Sequence, residues 1–150
     1  MKPHIRRATF SDLPGIHNLV RELAIYEKGE HEFIATLEEY QQDFKAGWFE
    51  ALVAEMDSKV VGMALFYDTY STWKGRMLYL EDFVVEQAYR RYGIGQALFD
   101  AVLEVAHKKG CKLVKWQVLD WNEPALRFYE KNKAIIEKEW WNGKIIFQKA

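Results

Sequence analysis

A single cysteine, Cys111, stands in 150 residues. No disulfide can form within the chain, which fits a reducing compartment and predicts a cytoplasmic protein. Cys111 lies between Gly110 and an expected strand and reads as a structural thiol. Excess charge of either sign is also missing. The 21 Lys and Arg face 22 Asp and Glu, for a net charge of −1. Without a basic field, no nucleic-acid partner is expected. No run of 18 apolar residues is present, so no membrane span is expected. Residues Met1 to Arg7 carry charge with no apolar stretch behind it, which argues against a secretory signal. The Walker A string GxxxxGK[ST] is absent. A dinucleotide GxGxxG string is left incomplete, because Leu98 stands where the third small residue belongs. No Ser or Cys sits in a recognisable triad, and no metal site is expected. Repeats, low-complexity segments and linkers are absent too, so one domain over residues 1–150 is expected.

What is present is apolar and aromatic: 49% hydrophobic residues and 15% aromatic ones, enough for a real core. The organising stretch runs from Tyr79 to Gly95. Tyr79-Leu80-Glu81-Asp82-Phe83-Val84-Val85 is strand-like. Arg90-Arg91-Tyr92-Gly93-Ile94-Gly95 is a basic, glycine-containing loop. From Ile94, apolar residues at 94, 97, 98, 101, 102, 105 and 106 mark one helix face. Strand, glycine loop and helix N-terminus together suit a phosphate group: glycine admits close approach, and helix N–H groups favour anions. Two carboxylates, Glu81 and Asp82, precede the loop.

In chain order, Ile5–Ala8 reads as a strand and Leu13–Tyr26 as a helix broken by Gly29. Thr36-x-x-Glu39 is a capping box opening a short helix that Gly47 ends. Phe49–Met56 and Val60–Tyr67 form a hairpin, Tyr70–Gly75 a loop, and Arg76–Val85 a long strand. A helix from Ile94 to about Lys109 stops at Gly110. Lys112–Leu119 is a strand, and Asn122 caps the helix carrying Leu126 and Tyr129. The chain closes with a hairpin, Ile135–Trp141 and Lys144–Gln148, about Asn142-Gly143.

Arg90-x-x-Gly93-x-Gly95 resembles the [QR]xxGx[GA] loop of the GCN5-related N-acetyltransferases (GNAT). Within that family, Tyr79-Leu80-Glu81-Asp82-Phe83, Tyr92-Gly93-Ile94-Gly95 and Trp121-Asn122-Glu123-Pro124-Ala125-x-x-Phe128-Tyr129 are similar to the polyamine and diamine acetyltransferases. The resemblance implies an α/β (α+β) acyl-CoA N-acyltransferase fold. Its sheet is mixed, mostly antiparallel and seven-stranded, flanked by four helices and splayed between strands 4 and 5. It implies acetyl-CoA as co-substrate and a small amine as partner, with a homodimer as the assembly. Phe83, Val84 and Val85 would pair with pantetheine and the acetyl carbonyl. Arg90, Arg91, Tyr92, Gly93, Ile94, Gly95 and Gln96 would hold the diphosphate. Asn122 and Tyr129 would complete the cofactor contacts.

Acetyl transfer to an amine needs a proton acceptor, because a primary amine is protonated near neutral pH. Glu81 is the candidate base. Regular alternation puts Glu81 and Asp82 on opposite faces; the bulge carried by the family at this place would change that. Tyr129 is the candidate acid for the departing thiolate. Attack is expected to be direct, within a ternary complex. Glu27, Trp73, Glu81 and Asp82 are the candidate substrate contacts, helped by the acidic excess of residues 22–43 and a cation–π face on Trp73. Ser71 stands where the polyamine enzymes carry an acid, which leaves a short diamine or a lysine-like amino acid such as thialysine open. A peptide lysine or N-terminus as acceptor, or a non-catalytic acyl-CoA sensor, are the alternatives. A second departure is Asn132-Lys133-Ala134, where the family has a glycine; Asn132 is the expected left-handed residue.

Overall fold

A computed structural model describes residues 2–148. They fall into two compact units, one up to Trp116 and the other from Gln117 onward.

The first unit is a five-stranded sheet in the order β1-β2-β3-β4-β5, with three helices. Its strands are β1 (His4–Arg7), β2 (Glu50–Met56), β3 (Lys59–Ser71), β4 (Gly75–Val85) and β5 (Leu113–Lys115). The first four pair antiparallel, whereas β5 runs parallel to β4. Helix α1 (Leu13–Tyr26) and helix α2 (Leu37–Lys45) precede β2, and α3 (Ile94–Lys108) follows β4. Leu13, Ile16 and Leu19 of α1 bury their side chains with Val53, Met63, Leu65 and Val84 of the sheet. The Thr36–Glu39 capping box is formed: Thr36 Oγ1 accepts from Glu39 N–H at 3.1 Å, and Glu39 Oε1 accepts from Thr36 N–H at 3.2 Å. On α3 the expected stripe is buried at Ile94, Leu98, Val102 and Ala106, with Phe99 added.

Helix α1 ends at Tyr26, as expected, ahead of Gly29. Lys28 takes the left-handed conformation, φ 62°. Gly29 N–H then reaches Ala24 O at 2.9 Å and Lys28 N–H reaches Ile25 O at 3.1 Å, the paired bonds of a Schellman end. The expected loop Tyr70–Gly75 is corrected. Strand β3 continues to Ser71 and β4 starts at Gly75, so only Thr72, Trp73 and Lys74 turn the chain. Tyr70 and Ser71 are held by pairing with Arg76 and Gly75 across the ladder.

Gly62 decides how closely α3 lies on the sheet. A Cβ there would stand 3.1 Å from a Leu98 methyl, 3.3 Å from Val84 O and 3.4 Å from an Ile94 methyl. Both Ile94 and Leu98 belong to the first turns of α3, so this glycine lets the N-terminus of that helix settle beside the end of β4.

The second unit holds α4 (Glu123–Lys131). Asn122 caps it, its Oδ1 accepting from Ala125 N–H at 3.4 Å. The seven-stranded expectation is corrected here: among the described residues there are five strands, and 135–148 contain none. Asn142-Gly143 does not make the type I′ hairpin turn that this dipeptide favours, which requires positive φ at both positions; neither has it. Strand β5 stops at Lys115 rather than Leu119, paired with Met77–Tyr79 while β4 itself runs on to Val85.

Candidate active site

The third and fourth strands hold one irregularity. Leu65 pairs with Asp82 but Phe66 pairs with Leu80, so Glu81 is an extra residue on β4. Such a bulge breaks strict alternation. Asp82 lies opposite Leu65, whose side chain belongs to the core shared with α1. Beyond the bulge, Tyr67 pairs with Tyr79 and their rings stack at 5.5 Å. Glu81 turns to this same group: Tyr67 Oη donates to Glu81 Oε1 at 2.7 Å. The bulge therefore brings both carboxylates to one side of the sheet, in place of the opposite faces that regular alternation gives.

The charges are crowded. Burial pushes the Asp82 carboxyl up to about 7, and the neighbouring charges of Glu81 and Glu27 add to that. Glu27 is the C-cap residue of α1, and partial desolvation raises its carboxyl as well. Tyr40 of α2 is raised by burial and then by Asp82 and Glu81, and Tyr79 in the same manner. Tyr40 is seated by His17, whose ring meets it edge-on at 4.8 Å while Nε2 lies 2.9 Å from Ala35 O. Three carboxylates and three tyrosines thus converge from α1, α2, β3 and β4.

At the other end of β4 lies the glycine loop. Arg91 and Gly93 both have positive φ, 78° and 75°, on either side of Tyr92. Gly93 is the N-cap of α3, and no side chain caps it. The N–H groups of Ile94 and Gly95 head the helix, where geometry supplies no intrahelical acceptor. A Cβ on Gly93 would meet nothing within 4 Å, so conformation rather than space asks for glycine there. Arg90 is exposed, with Nε donating to Val85 O at 3.2 Å. Beside the loop, β4 continues through Phe83, Val84 and Val85 after β5 has ended opposite Tyr79. A backbone nest at a helix N-terminus beside a parting of two strands fits an acyl-CoA diphosphate and its linear arm.

Trp73 lies elsewhere. It occupies the β3–β4 hairpin tip and is 84% exposed. The strand from Gly75 to Glu81 spans roughly 20 Å at 3.3 Å per residue, so the structure does not bring Trp73 to the carboxylates. In the second unit, Tyr129 is buried in α4, with Phe128 edge-on at 5.6 Å. The end of α4 is fixed by Ala134 N–H to Tyr129 O at 3.0 Å and Lys133 N–H to Glu130 O at 2.9 Å. Lys133, φ 63°, is the left-handed residue, and not Asn132 as expected. Asn132 is the C-cap, one position early for that role, and its side chain donates to Phe128 O at 2.9 Å. The turn thus survives without glycine.

The sequence reading missed Tyr40, Tyr67 and Tyr79 as site residues. Counting register back from the β3–β4 turn would have put Tyr67 opposite Tyr79 and so beside Glu81.

Residues 13–133 match the family model described as the acetyltransferase (GNAT) family. The chain belongs to the GNAT acetyltransferase family. The match crosses both compact units. This acetyltransferase is 40% identical over 150 residues to thialysine N-epsilon-acetyltransferase of Bos taurus, covering 92% of this chain and 88% of the relative. It is 32% identical to spermidine/spermine N(1)-acetyltransferase-like protein 1 of Homo sapiens, over 87% of this chain and 20% of that longer protein. Among solved structures, an aminoglycoside acetyltransferase from a soil metagenomic sample, in complex with sisomicin, superposes with a TM-score of 0.80. It is 24% identical and 97% of each chain is covered, so it speaks to the fold alone. The chain is accordingly an N-acetyltransferase of this fold.

Proposed function

We propose that this enzyme transfers the acetyl group of acetyl-CoA to a primary amine of a small cationic acceptor, of the lysine-like or diamine class. The observation that carries the reading is the β4 bulge, which turns Glu81 and Asp82 together towards Glu27 and the tyrosines. A carboxylate cluster attracts a cation and repels an anion. The thialysine enzyme at 40% identity supports a lysine-like acceptor.

In this reading Glu81 takes the ammonium proton, directly or through a water, and frees the amine lone pair. Asp82 and Glu27 hold the cationic portion of the acceptor. Bound acetyl-CoA supplies the activated acetyl group. The N–H groups of Ile94 and Gly95, with Arg90 and Arg91, anchor its diphosphate, and the backbone of Phe83–Val85 receives the arm. Asn122 steadies the pantetheine. Tyr129 gives its hydroxyl proton to the departing thiolate and regains one from the nitrogen of the collapsing intermediate. Attack is direct, in a ternary complex. Trp73 is reserved for an acceptor long enough to reach the hairpin tip. The same reading places the protein in the cytoplasm as a homodimer. The exposed apolar side chains of Trp140, Trp141, Ile145 and Phe147 support an apolar partner surface.

Release of CoA thiol with different acceptors tests this. Thialysine, lysine, ornithine, putrescine and spermidine should give turnover, with the highest kcat/KM among the short cationic amines. Turnover only with a lysine-bearing peptide would move the assignment to protein substrates. CoA release with no acceptor tried would overturn it.

A further inference from the structure

Glu81 is exposed on the bulge, where a carboxylate side chain ordinarily samples several rotamers. Here one oxygen is already taken. Tyr67 Oη donates to Glu81 Oε1 at 2.7 Å, a length typical of a good hydroxyl-to-carboxylate bond. The donor is itself placed, because the Tyr67 ring stacks on Tyr79 at 5.5 Å and the backbones of the same two residues pair across the ladder. Tyr67 is only half-buried, and with Trp48 and Asp68 it lines an open cavity of about 430 Å³. Tyr67 is therefore no filler of the sealed core, and loss of its hydroxyl opens no buried hole.

We propose that Tyr67 is a positioning residue that holds Glu81 by Oε1 and so presents Oε2 as the atom that receives the amine proton. The inference rests on the reading of Glu81 as base. Proton bookkeeping is consistent with it. The ammonium N–H bond breaks, its electron pair stays on nitrogen, and the proton moves to Oε2. Oε1 remains an acceptor for Tyr67 throughout, so the phenol need not lose its proton. Burial, and then the bond to Glu81, raise the Tyr67 hydroxyl well above its ordinary range, which keeps it a donor at any working pH. The other groups facing this pair are Asp82 and Tyr79 on β4, Glu27 at the end of α1 and Tyr40 on α2. Of the groups around this pair, it is Tyr67 that bonds Oε1 of Glu81.

Tyr67→Phe keeps the stacked ring and removes only the hydroxyl. The expected result is a roughly tenfold fall in kcat/KM for the amine, the scale of one hydrogen bond to a charged group. KM for acetyl-CoA should stay unchanged. The acid limb of the kcat/KM profile should move to higher pH, because a carboxylate that loses a donor holds its proton more readily. In a Glu81→Gln background, Tyr67→Phe should add little, since the two act as a unit. A wild-type enzyme that turns over and a Tyr67→Phe variant with the same amine kinetics and pH profile would overturn the positioning role. Equal, additive losses in both backgrounds would overturn it as well. Failure of the wild type to use any amine would instead strike the functional reading, so the two failures are distinct.

Discussion

Tyr129→Phe is expected to lower kcat by roughly 10²–10³-fold, the usual range for loss of a positioned general acid. The affinity for acetyl-CoA should hardly change. The ring is buried in α4, and Phe keeps its volume and its edge-on contact with Phe128. The helix end around it is built from main-chain bonds that the substitution does not touch, including Ala134 N–H to Tyr129 O. Only the hydroxyl is removed. Rapid-quench turnover and an equilibrium acetyl-CoA titration on the same preparation separate the two quantities. A kcat equal to wild type would remove Tyr129 from the chemistry. An acetyl-CoA affinity that fell in step with kcat would make Tyr129 a binding residue instead.

The second large effect concerns stability. Asp82→Asn should stabilise the fold at pH 8 by about 2–4 kcal/mol, given about 1.4 kcal/mol for each pKa unit. At pH 4 it should stabilise it hardly at all. Burial and the charges of Glu81 and Glu27 raise Asp82 from 3.8 to about 7 in the folded protein. Between those two values the native state holds a proton that the unfolded chain has lost. Stability on this account is full below the ordinary carboxyl range, falls as pH rises through about 7, and levels above it. Asn is neutral throughout and removes the dependence. Asp12 and Glu50 are lowered by their partners, Arg6 for Asp12 and the pair Lys109 and Arg7 for Glu50, and so act in the acid range in the opposite sense. They are common to both variants and cancel in the difference. Urea unfolding at pH 8, 6 and 4 checks this. A difference that is the same at all three would contradict the raised Asp82. The stabilised variant should be slower with cationic amines, the usual exchange at a site that stores unfavourable charge.

Much of the first unit was legible because its signals are local. Ile94, Leu98, Val102 and Ala106 repeat at helical spacing and are buried as a stripe. Thr36 and Glu39 announce a capping box and form one. Gly47 and Gly110 end their helices with positive φ, as their position suggests. What escaped was set by partners distant in sequence. Tyr70 and Ser71 fall in the expected loop Tyr70–Gly75, yet they are strand because Arg76 and Gly75 pair with them. No periodicity in Leu80-Glu81-Asp82-Phe83 reveals a bulge; the extra residue is defined only by the count on β3. Only the family resemblance pointed to it. Tyr67 is 14 residues from Glu81 and becomes its partner through that ladder alone. At the chain end, Asn142-Gly143 carries the strongest local turn signal in the sequence. Without a ladder on either side of it, that signal made no strands among the described residues.

Titration calorimetry with acetyl-CoA tests the central claim most directly, that the Gly93 nest and the parting of β4 from β5 form an acyl-CoA site. The account predicts saturable uptake of one molecule per chain, weakened by salt because arginines and main-chain amides hold the diphosphate. Absence of heat and of any competing coenzyme A signal at millimolar ligand would contradict it.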